Sequence, residues 1–166
     1  MLAAYQVVDG KTLNSMKNLG SDELSNRLSE IEEDNESEMI DIDKIWDALH
    51  CFLTGVSATH PIEGNKLSEA VVGIHFFNDD EDGDFITYIK NEELQEIISS
   101  LEKIDVQNVG LSFDMMQLQK EKISPDGIWK EDKQLFLDEM QQAIDDILDI
   151  YKSALKAKRH VIVSIL

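Results

Sequence analysis

The strongest hydrophobic pattern in this chain lies near its C-terminal end. Between Phe136 and Leu155, apolar residues recur at alternating steps of three and four, with Asp and Gln on the opposite face. This spacing predicts a long amphipathic helix that buries one stripe against a core. The run at residues 161–166, which is apolar except for Ser164, predicts a buried strand directly after this helix.

Shorter apolar runs predict the remaining elements. The β-prone run 3–8 predicts a first strand, and the runs 74–77 and 85–89 predict a hairpin that turns near Asp82 and Gly83. Spacing and capping residues predict short helices at 11–19, 22–33 and 67–72, after Asn91, and after Ser112. Strands at both ends, a central hairpin and helices between them predict an α+β fold. We expect one mostly antiparallel or mixed sheet, covered on a face by helices that include the long C-terminal one.

Residues 41–58, reading DIDKIWDALHCFLTGVSA, combine helical spacing with ionisable side chains. Either Asp41 or Asp43 is expected to cap the start of this helix, and Gly55 fits the left-handed position just after its end. The apolar residues that share one face of this helix are Ile42, Ile45, Trp46, Leu49, Phe52 and Leu53.

Polar side chains gather toward the exit of this helix. Asp47 and His50 are three residues apart and are therefore neighbours on the helix surface. Thr54 and Ser57 follow at the exit, and a further histidine comes later in the chain. The candidate polar site consists of Trp46, Asp47, His50, Thr54, Ser57 and His75.

The same residues carry a family resemblance. The pattern W-D-x-L-H-x-x-L-T-G-x-S-A begins at Trp46, and the pattern L-S-x-A-V-x-G-x-H runs from Leu67 to His75. Together they resemble the signature of the YfbM-like family of small bacterial proteins of unknown function. Weaker matches extend over most of the chain, and the first 40 residues match least. The resemblance implies one YfbM-like domain over residues 1–166, without a specific activity.

The net charge of the chain favours some classes of binding partner over others. The 34 acidic residues exceed the 15 lysines and arginines, which gives a net charge of −19. Such a field repels nucleic acid and favours a basic protein. Ten acids and one base lie between Asp22 and Asp43. This segment is either a solvated surface or a docking surface, for which the candidates are Glu32, Glu33, Asp34 and Glu36.

Neither a membrane span nor a disulfide is expected. No apolar run reaches the roughly 20 residues of a membrane span, and the apolar start lacks the basic region of a signal peptide. Cys51 is the single cysteine, so an internal disulfide cannot form. These features predict a cytoplasmic protein that contacts no membrane.

The histidines and the polar turn do not form a recognisable metal site. The segment that starts at Asn78 resembles a calcium loop, but its twelfth position is Ile89, where calcium loops need a glutamate. The four histidines show no paired ligand spacing, and nothing in the sequence brings His75 to His50. We therefore expect no metal and no cofactor.

Ser57, His50 and Asp47 contain the residue types of a hydrolase triad. Nucleophilic catalysis needs a serine held at hydrogen-bond distance from its base, yet no glycine-rich elbow surrounds Ser57. The alternative is that these side chains bond to the helix exit and its loop. Trp46 on the apolar face is more typical of a core residue.

Two classes of function remain open. The preferred interpretation is a non-enzymatic acidic module that binds a basic protein, with an inhibitor or immunity-type protein as one form of it. The alternative is a small-molecule-binding or hydrolytic protein with its polar site around His50, His75 and Ser57. The missing catalytic motif and the net charge of −19 favour the first class.

Overall fold

The computed structural model describes residues 1–34, 37–77 and 84–166 of the chain. Its strands are β1 (Ala3–Val8), β2 (Met39–Asp41), β3 (His75–Phe76), β4 (Phe85–Ile89) and β5 (His160–Ile165). Its helices are α1 (Gly10–Met16), α2 (Ser21–Glu33), α3 (Trp46–Thr54), α4 (Lys66–Val72), α5 (Asn91–Glu102), α6 (Val106–Ser112), α7 (Met116–Lys120) and α8 (Lys133–Lys156).

The strands form one antiparallel sheet in the order β2-β1-β5-β4-β3. The C-terminal strand lies in the middle, where β1 and β4 pair with its two sides. The predicted α+β fold and its central hairpin are confirmed, because β3 pairs with β4. The predicted turn near Asp82 and Gly83 lies outside the described residues, as does the calcium-like segment at residues 78–83.

Helices cover both faces of the sheet, whereas the sequence predicted cover on one face. Successive side chains of a strand point to opposite faces. In β5, Val161 and Val163 belong to the larger core with α3, α4, α5 and α8, while Ile162 packs with α1 and α2. The two short N-terminal helices therefore form a separate layer on the second face, because this face of the sheet is also apolar.

Two elements were missing from the sequence prediction, and one predicted cap was wrong. The strand β2 lies where a loop was expected, and α6 follows the capping carboxylate of Asp105. Neither Asp41 nor Asp43 caps α3, because a 3-10 turn at Asp43–Ile45 precedes the helix. The Asp41 carboxylate instead accepts from the Asp43 amide at 3.2 Å. Gly55 does take the predicted left-handed conformation after α3, with φ of 88°.

The long helix α8 buries the predicted stripe. Asp132 caps it by accepting from the Leu135 amide at 3.1 Å. The buried stripe includes Phe136, Met140, Ala143, Ile144, Ile147, Ile150, Tyr151 and Ala154. Within the part of the chain that the structure describes, no helix has the length and apolar composition needed to cross a bilayer.

We expect Ile144→Asp to lower the free energy of unfolding by about 3 to 5 kcal/mol, because it places an unpaired carboxylate in the core. Ile144 is 2% exposed. The matched control is Leu135→Asp, which makes the same kind of change at a side chain that is 63% exposed in the first turn of α8. Urea unfolding measures both variants, and an equal loss of stability in the two would contradict the packing.

Candidate functional site

Asp47 is a buried carboxylate that joins two loops to α3. Its Oδ1 accepts from the Ser57 hydroxyl at 2.8 Å and from the Ala58 amide at 2.8 Å. Its Oδ2 accepts from the Ser124 amide at 3.1 Å. These three donors replace the water that the carboxylate loses, since its residue is only 3% exposed. The helix exit and the segment after α7 are thereby fixed to one side chain.

His50 is fully buried one turn further along α3. Its Nδ1 lies 2.8 Å from the Val56 carbonyl oxygen, and its Nε2 lies 2.7 Å from Ser68 Oγ. Because a carbonyl oxygen only accepts, Nδ1 carries the proton of the neutral ring, and Nε2 accepts from the Ser68 hydroxyl. Burial lowers the pKa of His50, although the Val56 carbonyl and the Asp47 charge oppose this shift.

Ser68 completes the link between α3, α4 and the intervening loop. Its Oγ accepts from the Ile62 amide at 2.9 Å while it donates to His50. Sequence reasoning left Ser68 out of the candidate site. Ser68 is the second position of the L-S-x-A-V-x-G-x-H pattern, but spacing could not pair it with His50, because the two residues are 18 positions apart and only the folded loop brings them together.

The structure does not assemble Ser57, His50 and Asp47 into a triad. Ser57 bonds to Asp47, while His50 bonds to Ser68 on another element. Thr54 donates to the carbonyl oxygen of His50 at 2.7 Å, as expected of a hydroxyl at a helix end. Trp46 is 8% exposed in the main core, and its Nε1 donates to the Met1 carbonyl at 3.3 Å.

His75 lies on a different element from His50. Its Nε2 is 2.7 Å from Glu93 Oε1 at the start of α5, and its ring lies 5.0 Å from that of Tyr88. The sequence did not predict Glu93 or Tyr88 as its neighbours. His75 and Ser68 of the His50 network both line one cavity.

A pocket of about 620 Å³ lies between α4, the loop before it and the strands β3 and β4. We call it the α4 pocket. Its apolar wall comprises Pro61, Ile62, Val72, Ile74, Phe76 and Phe85, and its polar wall comprises Glu63, Ser68, Glu69, His75 and Thr87. Ser68 is almost wholly buried and His50 stands behind it, so the buried network forms part of this wall.

Gly73 allows α4 to turn closely into this wall. Its φ of +78° lies in the left-handed region, and a Cβ at this position would overlap the side chain of Thr87. Thr87 in turn donates to the Val72 carbonyl oxygen at 2.6 Å. The end of α4 and the strand β4 are therefore held against each other at the base of the pocket.

Carboxylates predominate around the α4 pocket. Lys66 lies 2.8 Å from Glu69 and 3.7 Å from Glu96, and these carboxylates raise the pKa of the lysine. Glu93 pairs with His75, and Glu63 lines the opening without a resolved partner among the described residues. The surroundings of the pocket are thus net negative, because these four glutamates outnumber Lys66.

The candidate docking residues lie at the end of α2. Glu32, Glu33 and Asp34 are exposed there, while Glu36 lies outside the described residues. The helix dipole places its negative end at this point, so carboxylates are unfavourable there. The last turn of α2 contains no basic residue.

In the ranges that the structure describes, no three His, Cys, Asp or Glu residues are grouped so that they could hold a metal ion. The free thiol of Cys51 is buried, and burial raises its pKa to about 12. The expectations of no metal and no cofactor stay predictions.

Comparisons of the sequence and of the fold with known proteins give consistent matches. A family model described as "Domain of unknown function (DUF1877)" matches residues 1–164. The chain is similar to Protein YfbM of Escherichia coli (strain K12), with 34% identity over 125 residues that cover 74% of each sequence. It is also similar to the crystal structure of YfbM from Escherichia coli, a protein of unknown function, with a TM-score of 0.82, 27% identity and 100% coverage of both chains.

We expect the stability of the protein to fall below about pH 6.5 because His50 is buried in its neutral form. The folded-state pKa of His50 is lowered, so the unfolded chain binds the proton more readily. The stabilisation is present above the unfolded pKa and is lost as the pH falls toward the folded value, by at most about 1.4 kcal/mol per pH unit.

The measurement is the free energy of unfolding in urea as a function of pH. His50→Gln removes this titration and is expected to flatten the curve in that range. The control His60→Gln changes an exposed histidine and is expected to keep the wild-type slope. An unchanged slope in a folded His50→Gln variant would disprove the assignment.

Proposed function

The chain belongs to the YfbM-like family, described as the domain of unknown function DUF1877. We propose that this chain binds a small molecule in the α4 pocket. The family resemblance predicted from the sequence is confirmed, but the family supplies no activity. The proposal depends on one observation, which is a pocket of about 620 Å³ with both apolar and polar walls.

The size and lining of the α4 pocket support this proposal. Pockets that bind small molecules commonly measure about 300 to 1,000 Å³ and combine apolar walls with a few placed polar groups. Here Phe76 and Phe85 line the same pocket as the polar residues Ser68 and Glu69. A ligand could therefore bury an apolar part while a polar part is oriented by hydrogen bonds.

The charges favour a neutral or cationic ligand. Glu63 and Glu69 line the pocket, and Glu93 binds His75 on its wall. A carboxylate or phosphate ligand would lose its water next to like charges, which is costly in a partly enclosed site. An amine with an aromatic group matches the walls better, because the aromatic group can pack against Phe76 and Phe85.

The pocket loop is held in place before any ligand binds. Asp47 fixes Ser57 and Ala58, and Ser68 fixes Ile62. Binding to a preorganised wall avoids the entropic cost of ordering a loop. This rigidity supports the α4 pocket as a recognition site for a small ligand.

We expect benzylamine to bind in the α4 pocket at least about tenfold more tightly than benzoate, a difference of about 1.4 kcal/mol. The two probes have similar size and opposite charge. NMR titration measures the affinity and maps the shifted amide signals, which we expect at residues 61–76 and 85–87.

Two tryptophan variants separate pocket binding from surface binding. Ile74→Trp fills the pocket wall and is expected to abolish the shifts, whereas Leu111→Trp changes a side chain that is 84% exposed outside the pocket lining. The proposal fails if benzylamine leaves the pocket signals unchanged, or if Ile74→Trp and Leu111→Trp bind it equally in their folded states.

A second candidate function is docking of a basic protein at the end of α2. The exposed carboxylates of Glu32, Glu33 and Asp34 lie at the negative end of the helix dipole, where they lower the stability of α2. A basic partner would relieve this repulsion and would be steered by the net charge of −19. An inhibitor or immunity-type protein would use such a surface.

Neutralising Glu32, Glu33, Asp34 and Glu36 together to amides is expected to slow association with a basic partner captured from lysate and then purified. The effect is expected to shrink as salt rises, because charges are screened over roughly 8 Å at physiological ionic strength. The control amidates Asp138, Asp145, Asp146 and Asp149 of α8, which changes the net charge equally. Equal slowing of association by both variants would contradict a docking surface at the end of α2, because net charge alone would then explain the effect.

A further inference from the structure

We propose that Ser68 is the nucleophile, and His50 its general base, of a carboxylic-ester hydrolase site in the α4 pocket. This inference rests on the proposed function, because it assigns a reaction to the same pocket. It replaces the triad of Ser57, His50 and Asp47 with a pair that the fold brings together from α3 and α4.

The geometry of the pair fits nucleophilic catalysis. A serine is activated when its hydroxyl donates to a base that a third group orients. Ser68 Oγ lies 2.7 Å from His50 Nε2, and the Val56 carbonyl holds Nδ1 at 2.8 Å. This carbonyl fixes the tautomer in which Nε2 is free to accept the serine proton. Burial also lowers the pKa of His50, so that the ring is available as a neutral base near pH 7.

The Ile62 amide is a backbone donor in direct contact with the attacking oxygen. It donates to Ser68 Oγ at 2.9 Å in the resting protein. Once Oγ bonds to carbon it becomes a weaker acceptor, which frees the amide to donate to the oxygen of the tetrahedral intermediate. Backbone amides that stabilise such an oxygen make a large contribution to acyl transfer.

The reaction proceeds in two steps, acylation of Ser68 and then deacylation by water. Ser68 Oγ bonds to the ester carbon and gives its proton to His50 Nε2, and the bond from carbon to the alcohol oxygen breaks as His50 protonates that oxygen. Water then attacks the acyl group on Ser68 and gives a proton to His50. The bond between the acyl carbon and Oγ breaks, Oγ regains the proton, and a carboxylic acid leaves.

The pocket selects esters that carry no negative charge. Phe76 and Phe85 offer an apolar wall to the acyl or alcohol group, and Glu69 disfavours anionic substrates. Ser68 is almost wholly buried, so the ester must reach the base of the pocket. Small, unbranched acyl groups therefore fit better than bulky ones.

Covalent labelling of the full chain by diisopropyl fluorophosphate tests this inference. We expect one diisopropylphosphoryl group on Ser68, found by intact mass and peptide mapping, because Oγ bonds to phosphorus as fluoride leaves. Ser68→Ala is expected to abolish both labelling and hydrolysis of p-nitrophenyl butyrate. His50→Gln is expected to slow labelling by about 100-fold or more, whereas Ser112→Ala, at an exposed serine, labels at the wild-type rate.

The wild-type protein alone decides the result, so a variant that unfolds does not obscure it. Labelling at Ser57 or at several serines, or no labelling, overturns the inference. If benzylamine binds in the α4 pocket while Ser68 stays unlabelled, the hydrolase assignment fails and the binding function stands. If neither occurs, both fail.

Discussion

A carboxylate buried within a helix must find hydrogen-bond donors, and Asp47 finds them in two separate loops. Its oxygens accept from Ser57 and Ala58 after α3 and from Ser124 after α7. The loop that begins at Ser57 leads into α4, where Ser68 bonds back to His50 of α3. A satisfied polar network of this kind fixes one arrangement, because any other leaves a buried charge unpaired. The loop side of the α4 pocket depends on this constraint.

The sequence predicted long elements well and spatial partners poorly. The stripe of α8 and the apolar run of β5 are periodic over many residues, so their burial could be read directly. The strand β2 was hidden because its three residues lie next to an acidic segment and gain their stability from pairing with β1. The sequence pattern grouped Asp47, His50 and Ser57 at the exit of α3, but it could not tell that Ser57 bonds to Asp47 while His50 bonds to Ser68. Ser68 approaches His50 only after the loop has folded.

The two candidate binding sites, the α4 pocket and the end of α2, differ in exposure and in charge. The α4 pocket is partly enclosed and has aromatic and polar walls, so its selectivity would come from shape and short-range contacts. The end of α2 is exposed and acidic, so it would act through long-range attraction that salt screens. Ser25 Oγ on α2 bonds to Asp84 Oδ2 at 2.6 Å, just before β4. Asp84 is followed by Phe85, which lines the pocket, so α2 contacts the residue next to one wall of the site.

Within the described residues, the outermost strands of the sheet are its shortest, and this affects how copies of the chain behave when crowded. The strand β2 has three residues and β3 has two, while the strands between them have five or six. An unpaired edge is a template onto which another chain can add, and short edges offer few backbone groups for this addition. The acidic surface adds repulsion between copies. The sheet can therefore keep an apolar centre at high concentration without offering a long edge for aggregation.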